Sequence, residues 1–234
     1  MGTLTEEERI LEMMTKATNY QRWIFWVLRS YVGDRVLEVG GGVGNLTWLF
    51  VDRPLVVSTD ITDYNIQKLT ERFKGNKNFF AVKTDISKSA EALRGYKFDT
   101  IVCSNVLEHI EDDSSALKNM YAVLEKGGKL ALLVPAFKML YGSVDISTSH
   151  YRRYSKEDII KKVKDAGFDV VTSLYMNVPG FFGWYYYGKI VKAKSYPEGK
   201  LSLFNKLVPI FAFIERVIHP PIGLSVVIIA EKKF

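Results

Sequence analysis

The residues best placed to do chemistry stand where apolar runs end. Val36-Leu-Glu-Val39 leads into Gly40-Gly-Gly-Val-Gly44, and the next apolar run, Leu55 to Thr59, ends on Asp60. Glycines let a backbone turn sharply and lie against a ligand where a side chain would intrude. A carboxylate only accepts hydrogen bonds, which suits the paired hydroxyls of a ribose. The layout is that of a nucleoside pocket, and a helix over about 45–51 would present free amides to negative charge. A dinucleotide fingerprint would need its third glycine where this chain has Asn45; here the glycines fall at Gly40, Gly42 and Gly44.

Two further groups could move protons. Glu108-His109 follows the apolar run Phe98 to Ser104, and Asp145-Ile-Ser-Thr-Ser-His150-Tyr-Arg-Arg-Tyr154 lies in a long connection. Histidine titrates near neutrality, so His150, and after it His109, is a candidate proton acceptor. The arginine pair inside Tyr151-Arg152-Arg153-Tyr154 could clamp a carboxylate or phosphate of an acceptor. The plain alternatives are that His109 packs at a helix start and that the second run is a basic surface loop. Glu108 and His109 offer too few oxygen ligands for magnesium, and no metal is expected.

Regular elements must hold these groups in place. Apolar residues recur at helical spacing over 5–31. Strands follow at 35–39, Leu55 to Asp60, Phe79 to Lys83, Phe98 to Ser104 and Lys129 to Val134. Helices over about 63–73, capped by Asp63, and 114–125 separate them. Ser155 to Asp158 reads as a capping box opening a helix that stops at Gly167. Phe168 to Tyr175 and Gly223 to Glu231 are the last two strands, paired antiparallel. Alternating strands and helices predict an α/β, doubly wound, seven-stranded sheet with six parallel strands and one antiparallel. The chain reads as one domain: an N-terminal helical cap over 1–33, a core over 34–176, an insert over 177–222 and a final strand over 223–234. The insert is aromatic-rich, from Phe181 to Tyr187, with Lys189, Lys192, Lys194, Lys200, Lys206 and Arg216 interleaved. Lid over a greasy acceptor, homodimer interface and peripheral membrane contact all fit that composition.

The 234 residues carry a net charge of +6 and one cysteine, Cys103. A single cysteine excludes an internal disulfide framework and suits a reducing cytoplasm, including the inner face of a membrane. The acidic, polar start at Thr3 to Arg9 does not have the order of a secretory signal. The modest positive charge reads as a solvated surface.

The chain resembles the class I S-adenosylmethionine-dependent methyltransferases, whose first motif is E/D-x-G-x-G-x-G. The resemblance spans roughly 35–175 plus the terminal strand, and the motifs arrive in the family's order. It implies that Glu38, Gly40, Gly42 and Gly44 surround the methionine part of S-adenosylmethionine. It further implies that Asp60 holds the ribose, that Ile61 lies on the adenine, and that Asp85, with Ile86 beside it, accepts the adenine amino group. Ser104 and Asn105 would stand beside the sulfonium. The string Leu107-Glu-His109 is similar to one in ubiquinone-pathway O-methyltransferases, and the His150 to Ser155 string to one in bacterial methyltransferases of unassigned substrate. The implied activity is methyl transfer to an oxygen or nitrogen of a small-molecule or lipid-like acceptor, with S-adenosylhomocysteine as product. Aminopropyltransferases and nucleic-acid amino-methyltransferases share the glycine loop, but this chain lacks the D-S-S-D-P-like and (N/D/S)-P-P-(Y/F) runs they carry after strand four. A non-catalytic, cofactor-binding or membrane-surface module that kept the fold is the competing reading.

Overall fold

The computed structural model describes residues 4–193 and 198–233; Lys194, named above, lies outside them. Seven strands form one sheet: β1 (Arg35–Val39), β2 (Leu55–Asp60), β3 (Phe79–Lys83), β4 (Phe98–Ser104), β5 (Leu124–Pro135), β6 (Asp169–Met176) and β7 (Ser225–Glu231). Their order is β3-β2-β1-β4-β5-β7-β6. β7 runs antiparallel to both neighbours, and the pairings among β1 to β5 are parallel. This is the predicted architecture. The order reverses at the β1–β4 pair, and ligands of such sheets bind outside the strand ends at that point.

Strand alternation sorts the core into two halves. Leu37, Val57, Ile101, Leu132 and Ile228 point to one face, where α4 (Asp113–Val123) covers them with Leu117 and Met120 and α6 (Lys156–Asp165) with Ile159 and Val163. Val36, Val56, Val102, Leu133 and Val227 point to the other face. There α2 (Thr18–Leu28) supplies Tyr20, Trp23, Ile24 and Leu28, and α8 (Glu198–Ile218) supplies Val208. Each fully buried Leu or Ile stabilises the fold by about 1.5–3 kcal/mol, so both helix layers are integral to the domain.

Several boundaries differ from expectation. The first helical stretch is two helices, α1 (Glu6–Met14) and α2, because the chain kinks at Thr15 to Ala17. The next helix, α3 (Asp63–Arg72), is capped by Thr62, whose hydroxyl accepts from the Asn65 amide; Asp63 is its first residue. β5 begins at Leu124, ahead of Gly127 and Gly128, and a register shift absorbs the glycines. The helix expected over 45–51 is only a 3-10 turn, Thr47–Leu49. Gly44 sits at φ +84°, outside helical space. The Thr47 hydroxyl is drawn to Glu38 at 2.6 Å, and the Trp48 indole N–H faces Gln21 Oε1 at 2.7 Å. The segment after the glycine loop therefore supplies no α-helix N-terminus to it. The insert holds α7 (Val178–Tyr185), a π turn (Tyr186–Ile190) and α8, and a short α5 (Ser143–Ser147) sits in the long connection after β5.

Candidate active site

The glycine loop leaves β1 beside the turn that follows β4. Gly40 and Gly42 adopt φ of +70° and +56°, and a Cβ on Gly40 would lie 2.3 Å from Val106 Cγ2. Only glycine meets both conditions. The Gly42 amide donates to Asp60 Oδ2 at 3.1 Å, while Asp60 Oδ1 accepts from the Thr62 amide at 3.0 Å and Asn65 Nδ2 at 3.1 Å. The β2 carboxylate is thus pinned against the loop.

Glu38 lines the same space, and its carboxylate also braces the fold. It is buried, and Oε2 accepts from Thr47 Oγ1 and Ser58 Oγ, each at 2.6 Å. Ser58 is its register partner on β2. Glu38 ties β1, β2 and the loop together, and burial pushes its carboxyl above the usual range against the pull of those hydroxyls. Asp85 accepts the Ser87 amide at 3.0 Å and hydroxyl at 2.6 Å and pairs with Lys88 at 3.2 Å. Burial would raise its pKa, yet the bonds from Ser87 and Lys88 hold it below the usual value.

A cavity of about 1280 Å³ opens over these strand ends. Glu38, Gly40, Gly42, Asp60, Ile61, Asp85, Ile86, Ser104 and Asn105 all line it, so the structure gathers these predicted cofactor residues around one space; Gly44 instead backs onto Phe73. Ile61 stands exposed at the mouth and Ile86 is buried below. Asn105 adopts φ +53°, and its amide donates to Leu133 O at 2.9 Å. Tyr20 lines the cavity from α2, whereas its neighbour Trp23 is core.

The far end of the cavity is built from two loops. Glu108 and His109 form a 3-10 turn after β4, and His150 arrives from the connection after β5. The two imidazoles meet edge to face, with centroids 4.6 Å apart and planes at 88°. His150 Nδ1 lies 2.9 Å from Asp145 Oδ1. Asp145 is fully buried and also accepts from Arg153 Nε at 2.7 Å, the Gly142 amide at 2.9 Å and Trp184 Nε1 at 3.1 Å. Burial alone would raise Asp145, but His150, the Arg153 charge and the other donors hold it below the usual carboxylate value. Arg153 in turn stacks 4.8 Å from the Trp184 ring.

Glu108 is the exception in this ordered shell. It is fully buried, and neither carboxylate oxygen has a hydrogen-bond partner. Burial pushes it up to about 7 against the pull of His150 and Arg153. Burial, with His150 adding to it, pushes His109 down to about 4.

The structure does not bring the four expected clamp residues together: Tyr151 and Arg153 line the cavity, and Arg152 and Tyr154 engage Asp113 instead. Arg152 pairs with Asp113 at 2.9 Å, and the buried Tyr154 hydroxyl points to the same carboxylate at 2.9 Å. The segment is extended, with Tyr154 bridged to Ala136, so successive side chains alternate between opposite sides. Arg153 pairs with Asp145 through the same oxygen that faces His150. Sequence reasoning missed the Asp145 and Trp184 contacts and the isolation of Glu108. Asp145 stood five residues before His150 in the motif and was open to discovery; Trp184 gave no signal.

With this geometry in view, the relatives can be weighed. Residues 16–173 match the family described as "Methyltransferase domain". The chain is 32% identical over 127 residues to the ubiquinone/menaquinone biosynthesis C-methyltransferase UbiE of Cronobacter sakazakii, covering 50% of each chain. It is 26% identical over 128 residues, 46% of its own length, to a probable polyketide synthase of Dictyostelium discoideum, of which it spans 5%. The chain thus spans about half the length of the former relative and a small part of the latter. Among solved structures, a SAM-dependent methyltransferase from Archaeoglobus fulgidus superposes with TM-score 0.60 at 20% identity, covering 91% of this chain and 94% of that one. The [4+2]-cyclase SpnF does so with TM-score 0.60 at 15% identity, covering 92% and 81%; at such identities the likeness shows the fold alone. Matched by its family over two thirds of its length and by its sheet order throughout, the chain belongs to the class I S-adenosylmethionine-dependent methyltransferases.

Proposed function

We propose that this enzyme methylates an oxygen or nitrogen of a small, lipid-like acceptor that it meets at a membrane surface. The observation that carries the reading is one continuous cavity with the glycine loop and two acids at one end and Glu108, His109 and His150 at the other. The first end fits S-adenosylmethionine: Gly40, Gly41 and Gly42 line it without side chains, and Asp60 borders it as an acceptor for ribose hydroxyls. When bound, that cofactor supplies a methyl carbon activated by its sulfonium, which the acceptor's electron pair captures while the C–S pair stays on sulfur.

The chain's own part is positioning and proton handling. Asp60 and Asp85 grip the nucleoside, and Ser104 and Asn105 border the reacting centre. Val144, Leu201 and Phe204 wall the space and exclude water. An acceptor hydroxyl or amine delivered to the far end loses its proton beside His150, whose Nε2 is the nitrogen left free by Asp145. Tyr151 and Arg153 flank that position.

Helix α8 supports the lipid-like acceptor. Leu201 and Phe204 on its inner side line the cavity. Its outer side, which a surface helix normally makes polar, exposes Leu203, Ile210, Phe213 and Val217, each more than half accessible. Lys200, Lys206 and Arg216 border these residues and are exposed. Basic residues beside an apolar stripe suit an anionic lipid surface. No helix among the described residues is long and apolar enough to cross a membrane, so the contact is peripheral and the helix doubles as the lid.

The relatives named as C-methyltransferases favour a second reading. A ring carbon beside an ionised hydroxyl would use the same cavity and the same proton acceptor. Titration with S-adenosylhomocysteine tests the first end. Transfer of labelled methyl from S-adenosylmethionine into a total lipid extract tests the second. Label in the organic phase supports the proposal, and its position on the product separates oxygen or nitrogen from carbon. Label confined to water-soluble products sinks the lipid-like acceptor. Cosedimentation with phosphatidylglycerol vesicles, lost in Ile210→Asp/Phe213→Asp, supports the surface contact; a stable dimer that buries this face overturns it.

A further inference from the structure

We propose that Glu108, His109 and His150 bind a divalent transition-metal ion, and that this ion holds the acceptor's oxygen. Three independent features meet here. First, one ligand atom from each of the three side chains lies within 4.8 Å of the other two. Second, Glu108 is fully buried, lines the cavity, and has no hydrogen-bond partner on either carboxylate oxygen. A buried carboxylate left bare costs several kcal/mol, and a cation is the partner that would remove that cost. Third, His150 is already oriented as metal-bound histidines are. Its Nδ1 faces Asp145 at 2.9 Å, leaving Nε2 for the ion, and Asp145 is locked by Arg153, Gly142 and Trp184.

The donor set narrows the choice of ion. Two imidazoles and one carboxylate suit zinc, iron(II) or manganese(II), whereas magnesium and calcium prefer sites made of oxygens. Three protein ligands beside an open cavity leave positions free, the arrangement of a catalytic rather than a structural centre. Nitrogen–metal bonds of about 2.0–2.1 Å require the three side chains to close by roughly 1 Å when the ion binds. His109 ends the 3-10 turn Leu107–His109, and His150 lies in the connection after β5.

This inference rests on reading that end of the cavity as the acceptor site and replaces His150's direct role there. The acceptor hydroxyl would bind the ion through oxygen and release its proton to solvent, because a coordinated hydroxyl is a far stronger acid than a free one. The acceptor class is then one carrying a hydroxyl beside a second oxygen or a carbonyl, able to chelate.

The test reads metal directly and needs no acceptor. Metal-stripped protein is titrated with Co(II), whose visible d–d bands report coordination, then with Zn(II) as competitor, while S-adenosylhomocysteine titration is run in parallel. The expected result is one equivalent of Co(II) with bands of a nitrogen–oxygen site, displaced by Zn(II). Affinity should fall at least about tenfold in each of Glu108→Gln, His109→Ala and His150→Ala, with cofactor-product affinity retained. Asp145→Asn should loosen the ion about 10–100-fold; should that variant fail to fold, His109→Ala carries the test alone. Absence of stoichiometric Co(II) or Zn(II) binding overturns the site. So does binding that survives all three ligand substitutions. Either failure leaves the cofactor reading standing, since S-adenosylhomocysteine binding reports that separately.

Discussion

Two buried glutamates, Glu38 and Glu108, line one cavity and are treated in opposite ways. Glu38 stands at the end of β1 with two hydroxyls at 2.6 Å; Glu108 stands after β4 with nothing on either oxygen. Burial raises both pKa values. At the proposed cofactor end, Glu38 is committed to holding the two strands and the loop together, while Asp60 and Asp85 line the cavity. At the proposed acceptor end, Asp145, Arg153 and Trp184 hold His150 in place, and Glu108 on the same cavity makes no side-chain hydrogen bond among the described residues. Fold stability is invested at one end and binding capacity is reserved at the other.

The largest effects should divide cleanly between the ends. His150→Ala is expected to lower turnover at least about 100-fold, the usual contribution of a positioned proton acceptor or metal ligand, while S-adenosylhomocysteine affinity changes by less than about twofold. Asp60→Ala should do the reverse to binding, weakening S-adenosylhomocysteine about 100-fold, because charge-assisted hydrogen bonds are worth about 1.5–3 kcal/mol each. Calorimetry on both variants checks the pair. Were His150→Ala to weaken cofactor-product binding as much as Asp60→Ala does, the two ends would not be separate sites.

The same substitution at the two glutamates sharpens the contrast. Glu38→Leu strands the Ser58 and Thr47 hydroxyls in the interior and should destabilise the fold by about 2–3 kcal/mol. Glu108→Leu removes a bare buried carboxylate and should stabilise it by about 1 kcal/mol while abolishing turnover. Urea unfolding of both variants gives the two signs. If both lose stability equally, Glu108 has a structural partner after all.

The proposed cofactor end could be read from the sequence as a cluster because its parts are nearly contiguous. Glycines at Gly40 and Gly42 declare a turn and a close approach, and Asp60 declares itself by ending an apolar strand. The doubly wound, mostly parallel sheet followed from the alternation of elements. The helix after the loop was misread because Gly44's left-handed φ and the pull of Glu38 on Thr47 are tertiary facts. The acceptor end was only half legible for the same reason. Glu108 and His150 come from different loops, and Trp184 reaches Asp145 across 39 residues. A residue's lack of partners, which is what marks Glu108, leaves no trace in sequence. The Tyr151 to Tyr154 string looked like one binding unit because sequence does not say that the backbone there is extended.

That last point yields the smallest predicted effect. Tyr154 carries the motif's final aromatic ring, yet its hydroxyl points to Asp113, which also holds Lys162 at 2.7 Å and Arg152 at 2.9 Å. Tyr154→Phe keeps the buried ring and removes one of several partners of Asp113. It should cost about 1 kcal/mol of stability and leave turnover and S-adenosylhomocysteine affinity within about twofold of the parent. Tyr151→Phe, on the cavity side of the same extended segment, should leave stability unchanged within about 0.5 kcal/mol and act on acceptor KM. A fall in turnover for Tyr154→Phe comparable to that of His150→Ala would move the boundary of the acceptor end to include Asp113, and the alternation argument for this segment would be wrong.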